Sequence, residues 1–449
     1  MRARFLPLVR LVVLAAVAGR APAQDWPQWR GPAHDGSTTV TGLPAKFDKD
    51  TNVRWAVDLP GPGASTPVIL AERVFVTSID RAAQALLAMC FERATGEERW
   101  VRSAGSDYRP AGDGTGVELD DRSNYASPSP VTDGERVVFF FGSGDLVAYD
   151  LEGEKLWARN LQKDYGDFAF QWTFSSSPTL WQGRLFVQVL QRDEPVEGRG
   201  KEGSSSFLLA IDPRSGETLF RHERPSQAQK ESLESYATPL PYVGKGGRKE
   251  LLLVGGDVIT GHDPESGAEL WRWGTWNPGH REMWWRLVPS VVVGGGVALV
   301  CAPKRAPVFA VKLDGEGELG PEGLAWQSSG RANPVSSDVP TPLFYQDRFF
   351  VLSDVREALS RVHPKSGEVE WTVSMPGRHR WRASPTGADG RLWCMNHHGD
   401  VVVIDPEDGK VLHQAAMGGE DDDQIRSTVA IAHGALFLRT NEKLFCVAK

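Results

Sequence analysis

The chain has 449 residues, of which 41% are hydrophobic and 24% are charged. This composition is typical of a globular protein and excludes a disordered or collagen-like chain. The 50 Lys and Arg residues against 58 Asp and Glu residues give a formal net charge of -8. That balance argues against a nucleic-acid partner, because phosphate binding requires a basic surface. Four cysteines are too few for a disulfide scaffold.

The first 23 residues predict a secretory signal peptide, with Arg2 and Arg4 as a basic start, an apolar run at 11–18 and small residues for cleavage near Ala23. The apolar run is shorter than the about 20 residues of a membrane-spanning helix, so we expect no membrane span; an uncleaved interfacial anchor is the alternative. Four basic and no acidic residues lie in 1–23, so cleavage would leave a charge of -12. The predicted location is therefore extracytoplasmic, either periplasmic or secreted.

The rest of the chain repeats a unit of about 51 residues on average. Each copy begins with a small residue, Ser or Thr, and Pro, continues through three short runs of apolar or β-branched residues, and ends with an acid, a Gly and an aromatic residue. That final position is held by Trp55, Trp100, Trp157, Phe220, Trp271, Trp326, Trp371 and His413. Four short strands at this period predict one blade of a β-propeller. We therefore predict an all-β, eight-bladed propeller.

The two ends of the repeat predict how the ring closes. Residues 52–58 resemble a fourth strand without the three that should precede it, and residues 427–449 resemble three strands without a fourth. Pairing these segments would complete an eighth blade and remove the open sheet edges. The prediction is a propeller over 52–449 and an N-terminal extension packed on it over 24–51. An open pair of β-sandwiches would explain neither the recurring Trp nor the incomplete end units.

The recurring acid, Gly and Trp positions are expected to be structural. The acid can accept hydrogen bonds from turn amides two residues on, Gly supplies a positive φ, and Trp can bury a large area between blades. Because repeat motifs serve stacking first, we assign this role to the following residues. They are Trp55, Trp100, Asp150, Trp157, Asp212, Gly216, Asp263, Gly267, Trp271, Trp326, Trp371, Asp405 and Gly409.

This motif resembles the tryptophan-docking repeat of pyrroloquinoline-quinone (PQQ) propellers, which occurs in quinoprotein dehydrogenases and in PQQ-like outer-membrane assembly factors. The stretch Asp25-Trp26-Pro27-Gln28-Trp29-Arg30-Gly31-Pro32 also resembles the mature N-terminus of secreted bacterial PQQ-like repeat proteins. The acid position departs from the pattern at Glu92, Lys312 and His363, and the fifth unit has an insertion at 314–322. The resemblance implies a propeller fold, but a fold alone does not set the function.

Aromatic and basic residues concentrate in the connectors that lead from one blade into the next, which suggests a surface for a ligand or a protein partner. The candidate binding residues are Arg122, Trp172, Trp276, His280, Trp284, Trp285, Arg286, Arg380, Trp381 and Arg382. The alternative is that these side chains only fill the channel by stacking and ion pairing. Asp421 and Asp423 are weak candidates for calcium ligands, and a solvated acidic loop is the alternative.

Two functions follow from these features. The first is a monomeric, non-catalytic binding or assembly scaffold with a protein or small-molecule partner at the channel face and no cofactor; the missing lipid-attachment cysteine departs from the assembly-factor lipoproteins. The second is a PQQ-dependent oxidoreductase with PQQ and Ca²⁺, in which Trp285 or Trp381 would stack on the quinone and Arg286, Arg380 or Arg382 would hold its carboxylates. The resemblance implies adjacent cysteines for such enzymes, but here the four cysteines are far apart and no haem-attachment motif occurs.

Overall fold

The computed structural model describes residues 24–449 except 115, 117, 121–122, 275 and 330–334. The predicted signal peptide at 1–23 and the candidate Arg122 lie outside the described residues. Eight radial sheets form within the described part of the chain, so the predicted eight-bladed propeller is confirmed. No helix in the part of the chain that the structure describes has the length and apolar character needed to cross a bilayer.

The strands of the first half are β1 (Val53–Asp58), β2 (Val68–Leu70), β3 (Arg73–Asp80), β4 (Ala85–Glu92), β5 (Glu98–Ser103), β6 (Glu118–Asp120), β7 (Ser123–Asn124), β8 (Val131–Thr132), β9 (Arg136–Phe140), β10 (Asp145–Asp150), β11 (Lys155–Asn160), β12 (Thr179–Trp181), β13 (Arg184–Val189), β14 (Phe207–Ile211), β15 (Thr218–Glu223), β16 (Leu240–Val243), β17 (Lys249–Gly255) and β18 (Val258–His262). Those of the second half are β19 (Glu269–Trp273), β20 (Val292–Gly294), β21 (Val297–Cys301), β22 (Val308–Lys312), β23 (Gly317–Glu318), β24 (Leu324–Gln327), β25 (Leu343–Tyr345), β26 (Arg348–Ser353), β27 (Ala358–Val362), β28 (Val369–Ser374), β29 (Thr386–Ala388), β30 (Arg391–Met395), β31 (Asp400–Ile404), β32 (Val411–Ala416), β33 (Ala430–Ala432), β34 (Ala435–Arg439) and β35 (Lys443–Ala448).

Each blade is an antiparallel meander whose first strand lies nearest the channel. Blades one to three are β2–β5, β8–β11 and β12–β15; blade four is β16–β19; blade five is β20, β21, β22 and β24; blades six and seven are β25–β28 and β29–β32. Blade eight has the order β1-β35-β34-β33, so the N-terminal strand supplies its outer edge. The register pairs Val53 with Val447 and Ala56 with Phe445, which confirms the predicted closure.

Two insertions add to this plan. In the insertion of blade five, β23 pairs in parallel with β19, so it covers the outer edge of blade four. Before blade three, α1 (Leu161–Tyr165) begins after Asn160, whose side chain accepts hydrogen bonds from two first-turn amides. Short 3₁₀ turns span Lys230–Leu233, Lys245–Gly247, Pro278–His280 and Pro321–Gly323.

Neighbouring blades are joined by the recurring Trp. The ring of Trp100 in blade one lies against Gly153 of blade two, where an added Cβ would be 2.7 Å from the ring, and its Nε1 donates to Leu151 O at 3.2 Å. Trp157 lies against Gly216 of blade three in the same way and donates to Pro213 O at 2.8 Å. The same arrangement occurs for Trp55 with Gly96, Trp326 with Gly367, and Trp371 with Gly409, while Phe220 covers Gly267 without a hydrogen-bonding ring nitrogen.

Blades four and seven depart from this arrangement. Trp271 donates to Glu250 Oε2 of its own blade at 2.6 Å, since the next blade carries Lys312 and an insertion where the turn motif is expected. His413 of blade seven bonds to the backbone of Phe47 in the N-terminal extension. The recurring acids act at the turns, as Asp212 and Asp405 show by accepting from the amides two residues on at 2.9 and 2.8 Å. Asp150 and Asp263 accept in the same way from Glu152 and Glu265.

Candidate functional site

A cavity of about 910 Å³ occupies the channel on the face where the connectors enter the inner strands. All eight blades contribute to its wall. The residue two positions before each inner-strand hydroxyl lines the cavity, because alternate residues of an extended chain face the same side. These residues are Ala64, Ser127, Ser175, Tyr236, Val288, Val339, Arg382 and Arg426. The cavity wall is therefore set by the repeat itself.

A ring of hydroxyl groups encircles this cavity. The backbone amide of one blade donates to the Ser or Thr hydroxyl of the next, as Ser129 does to Ser177 at 3.0 Å. Such bonds link Thr66, Ser129, Ser177, Thr238, Ser290, Thr341 and Ser384 in order, and the Thr428 amide donates to the Thr66 hydroxyl at 3.3 Å. The Ser or Thr at the start of each unit thus fixes the inner strands relative to one another.

The N-terminal extension crosses the other end of the channel. Trp26 pairs with Ile69 of blade one, and Pro27 O accepts from Thr132 of blade two at 3.0 Å. On the opposite side, the buried Arg30 donates to Pro342 O of blade six at 2.7 Å and to Pro385 O of blade seven at 2.8 Å. Between these contacts, Trp29 lines the cavity. The cavity therefore opens toward the connectors and has Trp29 at its base.

Two arginines on one side of the cavity are held by buried acids. Arg286 bonds to both carboxylate oxygens of Asp338, at 3.2 and 3.1 Å, and Arg382 Nε donates to Asp354 at 3.0 Å. The amide of Asp338 also donates to Asp354 at 3.0 Å. Burial raises the pKa of Asp354. For Asp338 burial is also the largest single effect, but Arg286, the Lys304 amide and Arg382 together outweigh it, and the pKa is lowered. Both arginines face the cavity while their acid partners lie behind them.

A second buried network supports the aromatic side of the cavity. Tyr236 donates to Glu234 at 2.6 Å and accepts from the Trp172 amide at 3.1 Å, and Arg192 pairs with Glu234 at 2.5 Å. Burial raises the pKa of Glu234 to about 7, although Arg192 and Tyr236 act in the opposite direction. Tyr236 and Trp172 line the cavity, and this network fixes the Tyr236 ring and the backbone of Trp172.

Of the candidate binding residues, Trp172, Arg286 and Arg382 line the cavity. Trp276 instead packs in the core with its ring 5.7 Å from Trp273, and Trp381 is fully buried and donates to Pro376 O. The other described candidates also lie outside the cavity wall. His280 pairs with Asp257 at 3.0 Å, and the backbone carbonyl of Arg380 accepts a hydrogen bond from the His397 amide. Trp284 is 53% exposed and lies beside Arg192, while Trp285 is half-buried.

Trp276 and Trp381 neither line nor fill the channel, because both rings are packed in the hydrophobic cores of the blades. Residues that sequence reasoning missed are Trp29, Tyr236, Glu234 and the hydroxyl ring. Counting two residues back from each Ser/Thr would have separated Arg382, which faces the cavity, from Trp381, which faces the core.

The described residues hold no group of three or more His, Cys, Asp or Glu side chains arranged to bind a metal ion. Asp421 and Asp423 line the cavity, but Asp423 accepts from the neighbouring Gln424 amide at 2.7 Å. The four cysteines are buried and unpaired. Burial raises the pKa of Cys90 and of Cys394 to about 12, which keeps both thiols protonated and unreactive.

Residues 31–192 and 254–448 match the family described as "Outer membrane protein assembly factor BamB". A polyvinylalcohol dehydrogenase from a Pseudomonas species is 25% identical over 186 residues, which are 40% of this chain and 26% of that enzyme. Among solved structures, BamB from Moraxella catarrhalis aligns with a TM-score of 0.58 and 13% identity over 88% of this chain and 98% of that one. Quinohemoprotein alcohol dehydrogenase from Comamonas testosteroni aligns with a TM-score of 0.64 and 13% identity, over 97% of this chain and 82% of that one. These structural similarities concern the fold.

Proposed function

The chain belongs to the family described as outer membrane protein assembly factor BamB, and from this premise we propose that it is an extracytoplasmic, non-catalytic binding propeller. It takes a small-molecule ligand, or a protruding segment of a protein partner, into the channel mouth. The location rests on the signal-peptide features of residues 1–23 and on the family's description. The net charge of -8 disfavours a nucleic acid as the ligand.

The observation that carries this proposal is the cavity of about 910 Å³ with Trp29 at its base. A volume of this size is in the usual range for small-molecule sites. Arg286 and Arg382 are held in place by Asp338 and Asp354, so a ligand would meet side chains that are already oriented.

Capture experiments with matched variants test the proposal. The purified protein is incubated with a periplasmic or culture-fluid extract of its own source, and bound molecules are identified by native mass spectrometry and crosslinking. We expect Trp172→Ala and Arg382→Gln to lower capture about tenfold, since each removes a contact of the cavity wall. Lys365→Ala, on an exposed turn of the opposite face, is the control and should capture normally. Equal capture by all variants would place binding outside the channel.

A PQQ-dependent oxidoreductase remains the second candidate, because tryptophans and arginines line one cavity and a dehydrogenase is among the relatives. Trp172 and Trp29 reach the cavity, whereas Trp285 and Trp381 do not. The residues present could contact a planar anionic group through Trp172 and Arg382, and PQQ would supply the redox chemistry. Calcium fits poorly, because the described side chains form no cluster of three acidic, His or Cys ligands.

Reconstitution separates the two candidates. The protein is incubated with PQQ and Ca²⁺, and both quinone absorbance and dye-linked oxidation of alcohols and sugars are measured. The scaffold proposal predicts neither signal. Turnover that disappears in Arg382→Gln, but not in Lys365→Ala, would establish the oxidoreductase instead.

A further inference from the structure

The wall of the channel cavity is unusually rich in hydroxyl groups. Small-molecule sites are lined mainly by hydrophobic and aromatic side chains, with a few polar groups among them. Here six of the eight blades contribute Ser or Thr residues to the wall. These residues are Ser123, Ser127, Ser129, Thr173, Ser175, Ser177, Thr238, Thr341, Ser384 and Thr428.

Several of these hydroxyl groups keep a proton to donate. Ser129, Ser177 and Ser384 each accept a backbone amide of the neighbouring blade, at 2.9, 3.0 and 3.0 Å, but no described residue accepts their own hydroxyl protons. A hydroxyl group can accept and donate at the same time, and a buried donor requires a partner. All three side chains are at least nine-tenths buried and line the cavity. The wall therefore offers donors to the molecule that occupies the channel.

The charges on the wall are largely compensated within the protein. Five acids and five bases line the cavity, and four of the bases pair with carboxylates. These pairs are Arg81 with Glu118, Lys443 with Asp58, Arg286 with Asp338, and Arg382 with Asp354. An anionic ligand would have to compete with these carboxylates, two of which lie behind the wall and add negative charge. The wall therefore favours an uncharged ligand over an anionic one.

The remaining polar groups include both acceptors and donors. Asp421 and Glu442 line the cavity, and no described side chain donates to their carboxylates. Arg382 bonds to Asp354 through Nε alone, so both of its terminal nitrogens make no hydrogen bond to a described residue. A ligand hydroxyl can donate to such a carboxylate and accept from such a guanidinium without carrying a charge. Hydroxyl groups on the ligand thus match both kinds of group.

Aromatic rings on the same wall suit the other part of a sugar. A sugar ring presents C–H groups on its faces and hydroxyl groups at its edge, and Trp29, Trp172 and Tyr236 supply apolar rings beside polar groups. An extended peptide would instead pair with the amides of the inner strands. Those amides are already used in the hydroxyl ring, as Ser129 N and Thr238 N show. The wall therefore favours a saccharide over a peptide.

We propose that the channel cavity binds a neutral oligosaccharide. Its hydroxyl groups bond to the hydroxyl ring and to the terminal nitrogens of Arg382, and its ring faces pack on Trp29 and Trp172. The volume of about 910 Å³ is at the upper end of the range for small-molecule sites, which suits a ligand of more than one sugar ring. This inference rests on the proposed binding function and names the class of its ligand.

Calorimetric titration of the intact protein tests the class of the ligand. The probes are maltotriose, cellotriose, xylotriose and chitotriose, with succinate as the anion, spermidine as the cation and N-acetylated, amidated trialanine as the neutral peptide. We expect saturable binding of at least one trisaccharide, with an affinity that stays the same when the salt concentration is raised about tenfold, since no charge pair forms. Absence of saturable binding by all four trisaccharides, or tighter binding of one of the other three probes, would overturn the proposal.

Variants locate the site in the channel. Trp29→Ala should weaken trisaccharide binding about tenfold by removing the ring at the base of the cavity. Ser175→Ala should weaken it about threefold, and because Ser175 makes no hydrogen bond to a described residue, it decides the question if Trp29→Ala does not fold. Trp284→Ala is the matched control, since that ring is 53% exposed and outside the cavity, and its binding should be unchanged. Equal affinity in Ser175→Ala and the unmodified protein would refute the site.

The outcomes also separate this inference from the proposed function. Capture that is lost in Arg382→Gln, with no trisaccharide bound, would refute the saccharide class and leave channel binding intact. Trisaccharide binding that is unaffected by Trp29→Ala and Ser175→Ala, with capture also unaffected by the cavity variants, would refute both.

Discussion

Burial beside the channel changes the pKa of single side chains, and Glu234 is the clearest case. Glu234 is fully buried, and its carboxyl group gains Arg192 and Tyr236 as partners without recovering the hydration that it loses. The result is a pKa of about 7 instead of the ordinary 4.5. In the pH range between these values the folded protein binds a proton that the unfolded chain has released.

The stability of the protein should therefore respond to pH through Glu234. Because the folded-state pKa is raised, the group destabilises the fold progressively as the pH rises from about 4.5 to about 7. Relative to Glu234→Gln, the unmodified protein should gain on the order of 1–3 kcal/mol between pH 7.5 and pH 5. Urea unfolding of both proteins across this range measures the difference. Glu97→Gln, at an exposed turn, should follow the unmodified protein, and parallel curves for Glu234→Gln would contradict the assignment.

At the scale of residues, the sequence predicted the connectors as the site but not which side chains reach the cavity. Trp172, Arg286 and Arg382 face the channel, whereas Trp276 and Trp381 are in the core. Composition alone cannot separate these sets, because a Trp packs equally well in either place. Side-chain direction follows from the extended backbone before each Ser/Thr, which composition does not capture.

At the scale of elements, the outer strand of six of the eight blades packs against the next blade through one aromatic ring. Trp100 is 5% exposed, contacts Phe75, Phe139 and Tyr149, and lies against Gly153 of the next blade. The repeat pattern predicted this position because the aromatic recurs with the turn glycine that accommodates it. The exception at blade four was also visible in the sequence. Blade five carries Lys312 and an insertion in place of the turn motif, and Trp271 of blade four bonds to its own blade instead.

Removal of one of these aromatic rings should lower the free energy of unfolding strongly. Trp100→Ala removes the ring between blades one and two and leaves Leu151 O without its donor. We expect the free energy of unfolding to fall by about 3–5 kcal/mol, as for other large aromatic side chains in cores. Chemical denaturation measures the loss. Val411→Ala, on the exposed outer strand of blade seven, should change it by less than about 0.5 kcal/mol. A similar small effect for Trp100→Ala would show that the ring does not hold the blades together.

For the whole molecule, the N-terminal part of the chain makes two separate contributions to the ring. Strand β1 completes blade eight, and the segment before it connects blades one and two with blades six and seven across the channel. The incomplete end units predicted the first contribution. For the second, the sequence predicted an extension packed on the propeller but not which blades it connects, because the stretch around Trp26 to Gly31 carries no strand periodicity and its partners are backbone groups of distant blades.

Removing the arginine of this crossing segment should loosen one side of the ring. Arg30→Met leaves the carbonyls of Pro342 and Pro385 without donors, and we expect a loss of about 2–4 kcal/mol in unfolding free energy. Hydrogen exchange should accelerate in the inner strands of blades six and seven. Strand β15 of blade three, which Arg30 does not contact, is the internal reference. Unchanged hydrogen exchange at 343–345 and 386–388 would show that the N-terminal extension covers the channel without stabilising blades six and seven.

The pairing of Val53 with Val447 also determines when the native state can form during biosynthesis. Strand β1 has no partner until β35 has been made, so the other seven blades can assemble in chain order before blade eight closes. Closing such a long loop is entropically tolerable, because the cost grows only by about 0.6 kcal/mol per doubling of length, but high contact order makes the step slow. An unpaired β1 and an open blade eight are exposed throughout that interval, which makes this open intermediate prone to misassembly and a substrate for chaperones.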